Sequence, residues 1–123
     1  MALNVLIIDD SAAIRKILYR VLTQTDVKLG QVYEAGDGLE AIGVLKLNKV
    51  GLILCDINMP NMDGIKFLAE IKANAEWRPI PVIMITTEGS QQKVMEAVEL
   101  GAAGYVRKPF TADQIKEKLV GIV

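Results

Sequence analysis

Continuous apolar runs along the chain predict buried β-strands. Three such runs cover residues 5–8, 52–55 and 82–85. None of them alternates with polar residues as a half-exposed strand does, so each is expected to be buried on both faces of a sheet. Two weaker apolar pairs, at residues 32–33 and 105–106, predict shorter outer strands. The pattern therefore predicts five strands.

Helical periodicity lies between these strands. Apolar residues recur at i, i+3, i+4, i+7 and i+8 from Ile14 to Leu22, which predicts a helix from about residue 11 to about residue 24. Similar spacing predicts two further helices, whose apolar positions are Leu39, Ile42 and Leu45, and Ile65, Leu68 and Ile71.

Two more helices are predicted in the second half of the chain. The fourth, at about residues 90–100, offers mainly the small apolar residues Val94, Ala97 and Val98, so we expect it to bury less area and to be the least firmly packed. The fifth begins at Thr111, because Gln114 three positions later completes a capping box before the next apolar residues.

Alternation of strand and helix predicts an α/β fold, a doubly wound parallel sheet with helices on both faces. Five strands, five helices and short loops account for all 123 residues, so we expect a single domain over residues 1–123. The hydrophobic share of 51% and the charged share of 24% are typical of a globular domain with its own core.

Composition excludes several function classes. The chain has no histidine, so neither an imidazole base nor a Ser-His-Asp triad is available. Its net charge of -1 offers no basic excess for nucleic acid. Its start resembles no signal peptide and no run is long enough to cross a membrane, so we expect neither. The lone Cys55 lies in a buried run beside acids, which favours a structural role in a reducing compartment.

Polar side chains collect where the predicted strands end. Asp9 and Asp10 follow the first strand, Asp56 the third, Thr86 the fourth and Lys108 the fifth. In an open parallel sheet, ligands bind at the carboxyl ends of the strands. We therefore expect three acids, a hydroxyl and an amine to converge at one edge.

Each of these residues has an ordinary structural interpretation, such as helix capping by Asp9 and Asp10. As a group they indicate more, because three carboxylates gathered together repel one another unless a cation binds. Oxygen ligands without histidine or thiolate favour a hard ion, and Mg²⁺ suits a few carboxylates with waters and a phosphate. The carboxylate of Asp56 could then attack phosphorus to form an aspartyl phosphate.

Four motifs in this order resemble those of response-regulator receiver domains: DD after the first strand, CDINMPNMDG at the third, MITTEG at the fourth and GAAGYVRKPF at the fifth. The resemblance covers the whole chain, and it is strongest to stand-alone chemotaxis regulators. It implies a flavodoxin-like sheet with strand order 2-1-3-4-5.

The resemblance also implies an acidic metal site. Asp56 would accept the phosphoryl group, and Asp10 and Asp56 would bind Mg²⁺ directly. Asp9 would assist through a bound water, and Asn58 would contribute its backbone carbonyl.

Further roles follow from the same resemblance. Lys108 would pair with the phosphoryl group, Thr86 would hydrogen-bond to it, and Tyr105 would change rotamer with the switch. The peptide bond between Lys108 and Pro109 would be cis. Asn58 and Glu88 would influence how long the phosphoryl group persists.

The function implied is that of a cytoplasmic, monomeric response regulator with at most slow self-dephosphorylation. A histidine kinase would donate the phosphoryl group, and a phosphatase could remove it. The target would bind the surface of the fourth helix, fifth strand and fifth helix, and the flagellar motor switch is the expected target. A phosphorelay shuttle or a receiver for a non-chemotaxis target remains an alternative.

Two rival functions come from other classes. A flavin-binding protein of this fold class would place a phosphate in the loop after the first strand, where Asp9 and Asp10 repel it. A phosphatase with an aspartate nucleophile would ordinarily use a second acid two positions later, but residue 58 is asparagine. Both features favour the receiver interpretation.

Overall fold

The computed structural model describes residues 2–87 and 89–122 and contains five strands and five helices in that part of the chain. In chain order these are β1 (Leu3–Ile8), α1 (Ala12–Thr23), β2 (Leu29–Ala35), α2 (Gly38–Leu47), β3 (Leu52–Cys55), α3 (Gly64–Ala73), β4 (Val82–Thr86), α4 (Gln91–Glu99), β5 (Gly104–Arg107) and α5 (Ala112–Leu119). Strand and helix alternate as predicted.

All strand pairs are parallel, and the sheet order is β2-β1-β3-β4-β5. Helix α1 packs against α5, while α3 packs against both α2 and α4. The expected doubly wound fold and its strand order are confirmed. Of the described helices, none is long and apolar enough to span a bilayer.

The continuous apolar runs are buried on both faces of the sheet. In β1, Leu6 and Ile8 join the core beneath α2, α3 and α4, while Val5 and Ile7 join the core beneath α1 and α5. None of these four side chains is more than 1% exposed. Burial of both faces explains why the run shows no alternation.

Side-chain caps define where the helices begin. In each helix, an N-cap side chain accepts a hydrogen bond from a backbone N–H three residues later; these residues are Ser11, Asp37, Asp63, Ser90 and Thr111. The capping box between Thr111 and Gln114 is present as predicted.

Three details of the predicted pattern are wrong. Strand β2 is the longest strand, with seven residues, because its edge position relies on backbone pairing with β1 rather than on a long apolar run. In α4 only Ala97 is buried, so the expectation of a thinly packed helix is confirmed, but Val98, which was expected among its apolar contacts, is 59% exposed. Ile17 and Leu39 also lie at the solvent-facing margins of their helices, where they are 45% and 56% exposed.

A close backbone contact shapes the loop between β3 and α3. The N–H of Gly64 donates to the carbonyl of Ile57 at 2.8 Å. A Cβ atom at position 64 would lie 2.0 Å from the backbone oxygen of Asp56. Only glycine permits this approach, so the residue that starts α3 also determines how closely the loop packs against the end of β3.

We expect Gly64→Ala to lower the free energy of unfolding by about 1–3 kcal/mol, because the added methyl group would force backbone apart. Gly43→Ala is the matched control in α2, since no atom lies within 4 Å of its added Cβ. The control should be stabilised by about 0.5–1 kcal/mol. Urea unfolding measures the free energy of unfolding of both variants. An unfolding midpoint for Gly64→Ala equal to that of the wild type would contradict this account of the close contact.

Candidate functional site

Backbone hydrogen bonds continue past the strand ends and place the polar residues that follow. The N–H of Asp9 donates to the carbonyl of Ala35 at 3.0 Å, and that of Asp56 donates to the carbonyl of Ile8 at 2.9 Å. At the other side of the sheet, the N–H of Lys108 donates to the carbonyl of Thr86 at 2.8 Å. The main chain of the sheet therefore positions these residues along one edge.

Three carboxylates meet at this edge. One oxygen each from Asp9, Asp10 and Asp56 lies within 4.8 Å of the other two. Asp9 and Asp56 are only 1% and 6% exposed, whereas Asp10 faces solvent. The predicted convergence of the three acids is confirmed.

Lys108 compensates part of this negative charge. Its Nζ lies 2.6 Å from Oδ2 of Asp9 and 3.3 Å from Oδ2 of Asp56. Burial lowers the pKa of Lys108, but its hydrogen bond to Asp9 and the charges of both acids outweigh burial and raise that pKa overall. The family resemblance implies a phosphoryl group as the partner of this ammonium, whereas in the structure the ammonium bridges two acids.

Asp9 contributes both to the acidic site and to the start of α1. Burial raises its pKa, although the hydrogen bond from Lys108 and the backbone N–H of Ser11 oppose that rise. The Ser11 N–H donates to Oδ1 of Asp9 at 2.9 Å. The helix-capping interpretation is therefore wrong, because Ser11 caps α1, and Asp9 instead anchors the turn before the helix.

Both oxygens of the Asp56 carboxylate accept hydrogen bonds. Oδ1 accepts from the N–H of Ile57 at 2.7 Å, and Oδ2 accepts from Lys108 at 3.3 Å. These contacts hold the carboxylate in one orientation beside Asp9 and Asp10.

The remaining predicted residues surround the acids. Thr86 ends β4 and is fully buried, Tyr105 in β5 is half-buried, and Asn58 is exposed in the loop after Asp56. The Lys108–Pro109 peptide bond is cis, as the resemblance implied. Glu88 lies outside the described residues.

Cys55 has the structural role that was expected. It is 1% exposed, and its thiol donates to the backbone oxygen of Asp56 at 3.1 Å. Burial, together with the charge of Asp56, raises the pKa of Cys55 well above its ordinary value. A thiol kept protonated in this way is a poor nucleophile.

Arg15 makes two contacts near the site that the sequence does not predict. Its Nη1 donates to the backbone oxygen of Asp9 at 2.5 Å, and its Nε pairs with Glu34 at 2.8 Å. Arg15 thereby joins α1, the end of β1 and strand β2. No local sequence signal predicts this contact, because it depends on how the helix is placed over the sheet.

A second missed contact joins the start of α2 to the loop after Asp56. Asp37 is the N-cap of α2. Its Oδ2 also accepts a hydrogen bond from Nδ2 of Asn61 at 2.7 Å. Hydrogen bonds from the N–H of Glu40 and from Asn61 lower the pKa of Asp37.

The donor set at the sheet edge fits a hard divalent cation. Among the described residues, the side chains grouped closely enough to hold a metal ion are the carboxylates of Asp9, Asp10 and Asp56. Such ligands suit Mg²⁺ better than zinc or copper, which prefer imidazole or thiolate. Of the candidate ligands, Asp10 is the carboxylate open to solvent.

The chain matches the family described as Response regulator receiver domain over residues 5–120. It is 40% identical over 117 residues to Chemotaxis protein CheY-3 of Vibrio cholerae serotype O1, with 95% of this chain and 88% of that protein covered. The structure of chemotaxis response regulator CheY4 of Vibrio cholerae is 31% identical, with a TM-score of 0.87 and all of both chains covered.

The structure of the phosphorylated cyanobacterial phytochrome response regulator RcpA is also similar. Its identity is 26% and its TM-score 0.84, with 99% of this chain and 91% of that chain covered. Together with the shared strand order and the family match over residues 5–120, these similarities establish that the chain belongs to the response regulator receiver domain family.

Proposed function

We propose that this receiver domain accepts a phosphoryl group on Asp56 from a phosphohistidine of a histidine kinase, with Mg²⁺ bound at the acidic edge of the sheet. The observation that carries the proposal is the arrangement around Asp56, a buried carboxylate held between a backbone N–H and an ammonium beside two further acids. The missing histidine fits this chemistry, because the donor protein supplies the imidazole.

Asp10 and Asp56 would hold the Mg²⁺ directly, Asp9 would contribute through a water, and the carbonyl of Asn58 would complete the protein ligands. When bound, the ion neutralises charge on the oxygens of a transferred phosphoryl group. The carboxylate oxygens of the three acids, gathered within 4.8 Å, support this assignment.

Asp56 would act as the nucleophile without a general base, because an ionised carboxylate has no proton to lose. One of its oxygens forms a bond to phosphorus while the bond from phosphorus to the donor imidazole nitrogen breaks, and the electron pair of that bond stays on the nitrogen. The N–H of Ile57 on Oδ1 orients the carboxylate for this attack.

Lys108 would change partner during the reaction. Its ammonium lies 3.3 Å from Oδ2 of Asp56 and can follow the negative charge onto the phosphoryl oxygens. Its second contact, at 2.6 Å to Asp9, keeps the amine at the site while this happens. Thr86, at the end of β4, would donate its hydroxyl to another phosphoryl oxygen.

The switch would pass from the site to α4. The hydrogen bond from Thr86 to the phosphoryl group would draw the end of β4 inward. This movement would open space for a new rotamer of Tyr105, a residue that packs against the core beneath α4. Helix α4 is easy to displace because Ala97 is its one buried residue among those described. The surface formed by α4, β5 and α5 would then bind the target.

The similarity to chemotaxis proteins supports the flagellar motor switch as that target. The chain would bind it as a cytoplasmic, monomeric regulator. A receiver for another pathway is the second candidate, supported by the similarity to the phytochrome response regulator RcpA. In either pathway the chain would be a signalling protein rather than a classical enzyme. Residue 58 is asparagine rather than a second acid, which favours slow self-dephosphorylation. A phosphatase would then control the signal. Glu88 would contribute, with Asn58, to the lifetime of the phosphoryl group.

Incubation with acetyl phosphate and Mg²⁺ should add one phosphoryl group to the chain, as measured by intact mass. The group should not be added without Mg²⁺, nor in Asp56→Asn, which lacks the nucleophile. Asp63→Asn is the matched control, because it alters a half-buried acid that follows the same loop and caps α3. Labelling that persists in Asp56→Asn would overturn the assignment.

Backbone amide exchange tests the α4 step separately. A phosphoryl mimic such as beryllofluoride with Mg²⁺ should alter exchange across residues 90–100, because the thinly packed helix moves, while the firmly packed strand β1 should not change. The same mixture with Asp56→Asn is the control. Unchanged exchange across α4 in the wild-type chain, with the mimic bound, would show that α4 takes no part in the switch.

A further inference from the structure

We propose that Asp37 and Asn61 are positioning residues that set the affinity of the site for Mg²⁺, by holding the loop that carries the Asn58 carbonyl. This inference rests on the proposed function, because it concerns the same metal site. Neither residue is a candidate ligand, and both act through the shape of residues 56–62, the segment between β3 and the N-cap of α3.

Asp37 connects two elements with its two carboxylate oxygens. Oδ1 accepts from the N–H of Glu40 at 2.9 Å and so caps α2. Oδ2 accepts from Nδ2 of Asn61 at 2.7 Å. The residue is only 6% exposed, so water competes little for either contact. One buried carboxylate therefore joins the start of α2 to the loop after Asp56.

Backbone contacts at the same place strengthen the connection. The N–H of Gly38 donates to the carbonyl of Met62 at 3.0 Å. A Cβ at position 38 would lie 2.7 Å from Cγ of Met62, so glycine allows the close approach. Asn61 has a φ of 65°, a left-handed conformation that asparagine and aspartate adopt more readily than most residues.

The other end of the loop is held beside Asp56. The carbonyl of Ile57 accepts from the N–H of Gly64, and the N–H of Ile57 donates to Oδ1 of Asp56. Asn58 lies between these contacts and the one at Asn61. Its carbonyl is thus ordered before any ion binds, so binding need not bear the entropy cost of ordering the loop.

A donor–acceptor exchange between the two residues tests the proposal. Asn61→Asp places a second carboxylate against Asp37 and replaces attraction with repulsion, while a left-handed φ is still tolerated. Asp37→Asn retains a helix cap and can still pair with Asn61 after one amide flips. The double variant restores an amide-to-carboxylate hydrogen bond with its direction reversed, at the wild-type net charge.

Magnesium affinity is measured by calorimetric titration, and the free energy of unfolding is measured separately without Mg²⁺. Residues that support metal ligands typically contribute about 10–100-fold to affinity, so we expect Asn61→Asp to bind Mg²⁺ at least about tenfold more weakly. The double variant should recover most of this loss, and Asp37→Asn should differ little from the wild type. Asn48→Asp, at the far end of α2, controls for the added charge.

The direction of the change in Mg²⁺ affinity separates the positioning role from a simple effect of charge. An added carboxylate that acted only by its charge would strengthen cation binding, so tighter binding by Asn61→Asp would overturn the positioning role. Unchanged affinity with lowered stability would overturn it equally, because the contact would then be merely structural. A wild-type chain that binds no Mg²⁺ would overturn both this inference and the metal in the proposed function.

If Asn61→Asp does not fold, Asn61→Gly gives the same test. Glycine accepts the left-handed φ and lacks the Nδ2 donor, so it removes the hydrogen bond without straining the backbone. Weaker Mg²⁺ binding by Asn61→Gly supports the proposal, and wild-type affinity contradicts it.

Discussion

The site depends on the ammonium of Lys108, which lies between two buried carboxylates. Asp9 and Asp56 follow adjacent strands and are almost fully buried, so their mutual repulsion needs a nearby positive charge. Lys108 follows β5, two strands beyond the strand that precedes Asp56, and the hydrogen bond from its N–H to the Thr86 carbonyl fixes its backbone there. The register of the sheet therefore matters for electrostatics as well as for packing, because it determines where the ammonium lies relative to the two acids.

In the proposed mechanism, the same ammonium would serve both the resting and the phosphorylated state. It holds Asp9 more closely than Asp56, at 2.6 Å against 3.3 Å, so it can transfer its weaker contact to a phosphoryl group and remain in place. Around it, packing is uneven. Residues 5–8 of β1 are completely enclosed, whereas α4 buries only Ala97. The proposed switch depends on this contrast, because a thinly packed helix is easier to displace than the enclosed strand.

Much of the fold follows from local sequence patterns. The continuous runs of β1, β3 and β4 and the capping box at Thr111 predicted their elements, and the residues after the strands predicted the acidic edge. The exposure of Val98 and the length of β2 depend instead on helix orientation and backbone pairing. Contacts such as Asp37 with Asn61 join residues 24 positions apart, and no local pattern records them.

A crystal structure with Mg²⁺ and beryllofluoride tests the central claim most directly, that Asp56 is the acceptor and that Lys108 follows the charge. The account predicts beryllium on a carboxylate oxygen of Asp56, a fluoride in contact with Nζ of Lys108, and the cation on the carboxylates of Asp10 and Asp56. Beryllium on Asp9 or Asp10, or a Lys108 ammonium without contact to the fluorides, would contradict it.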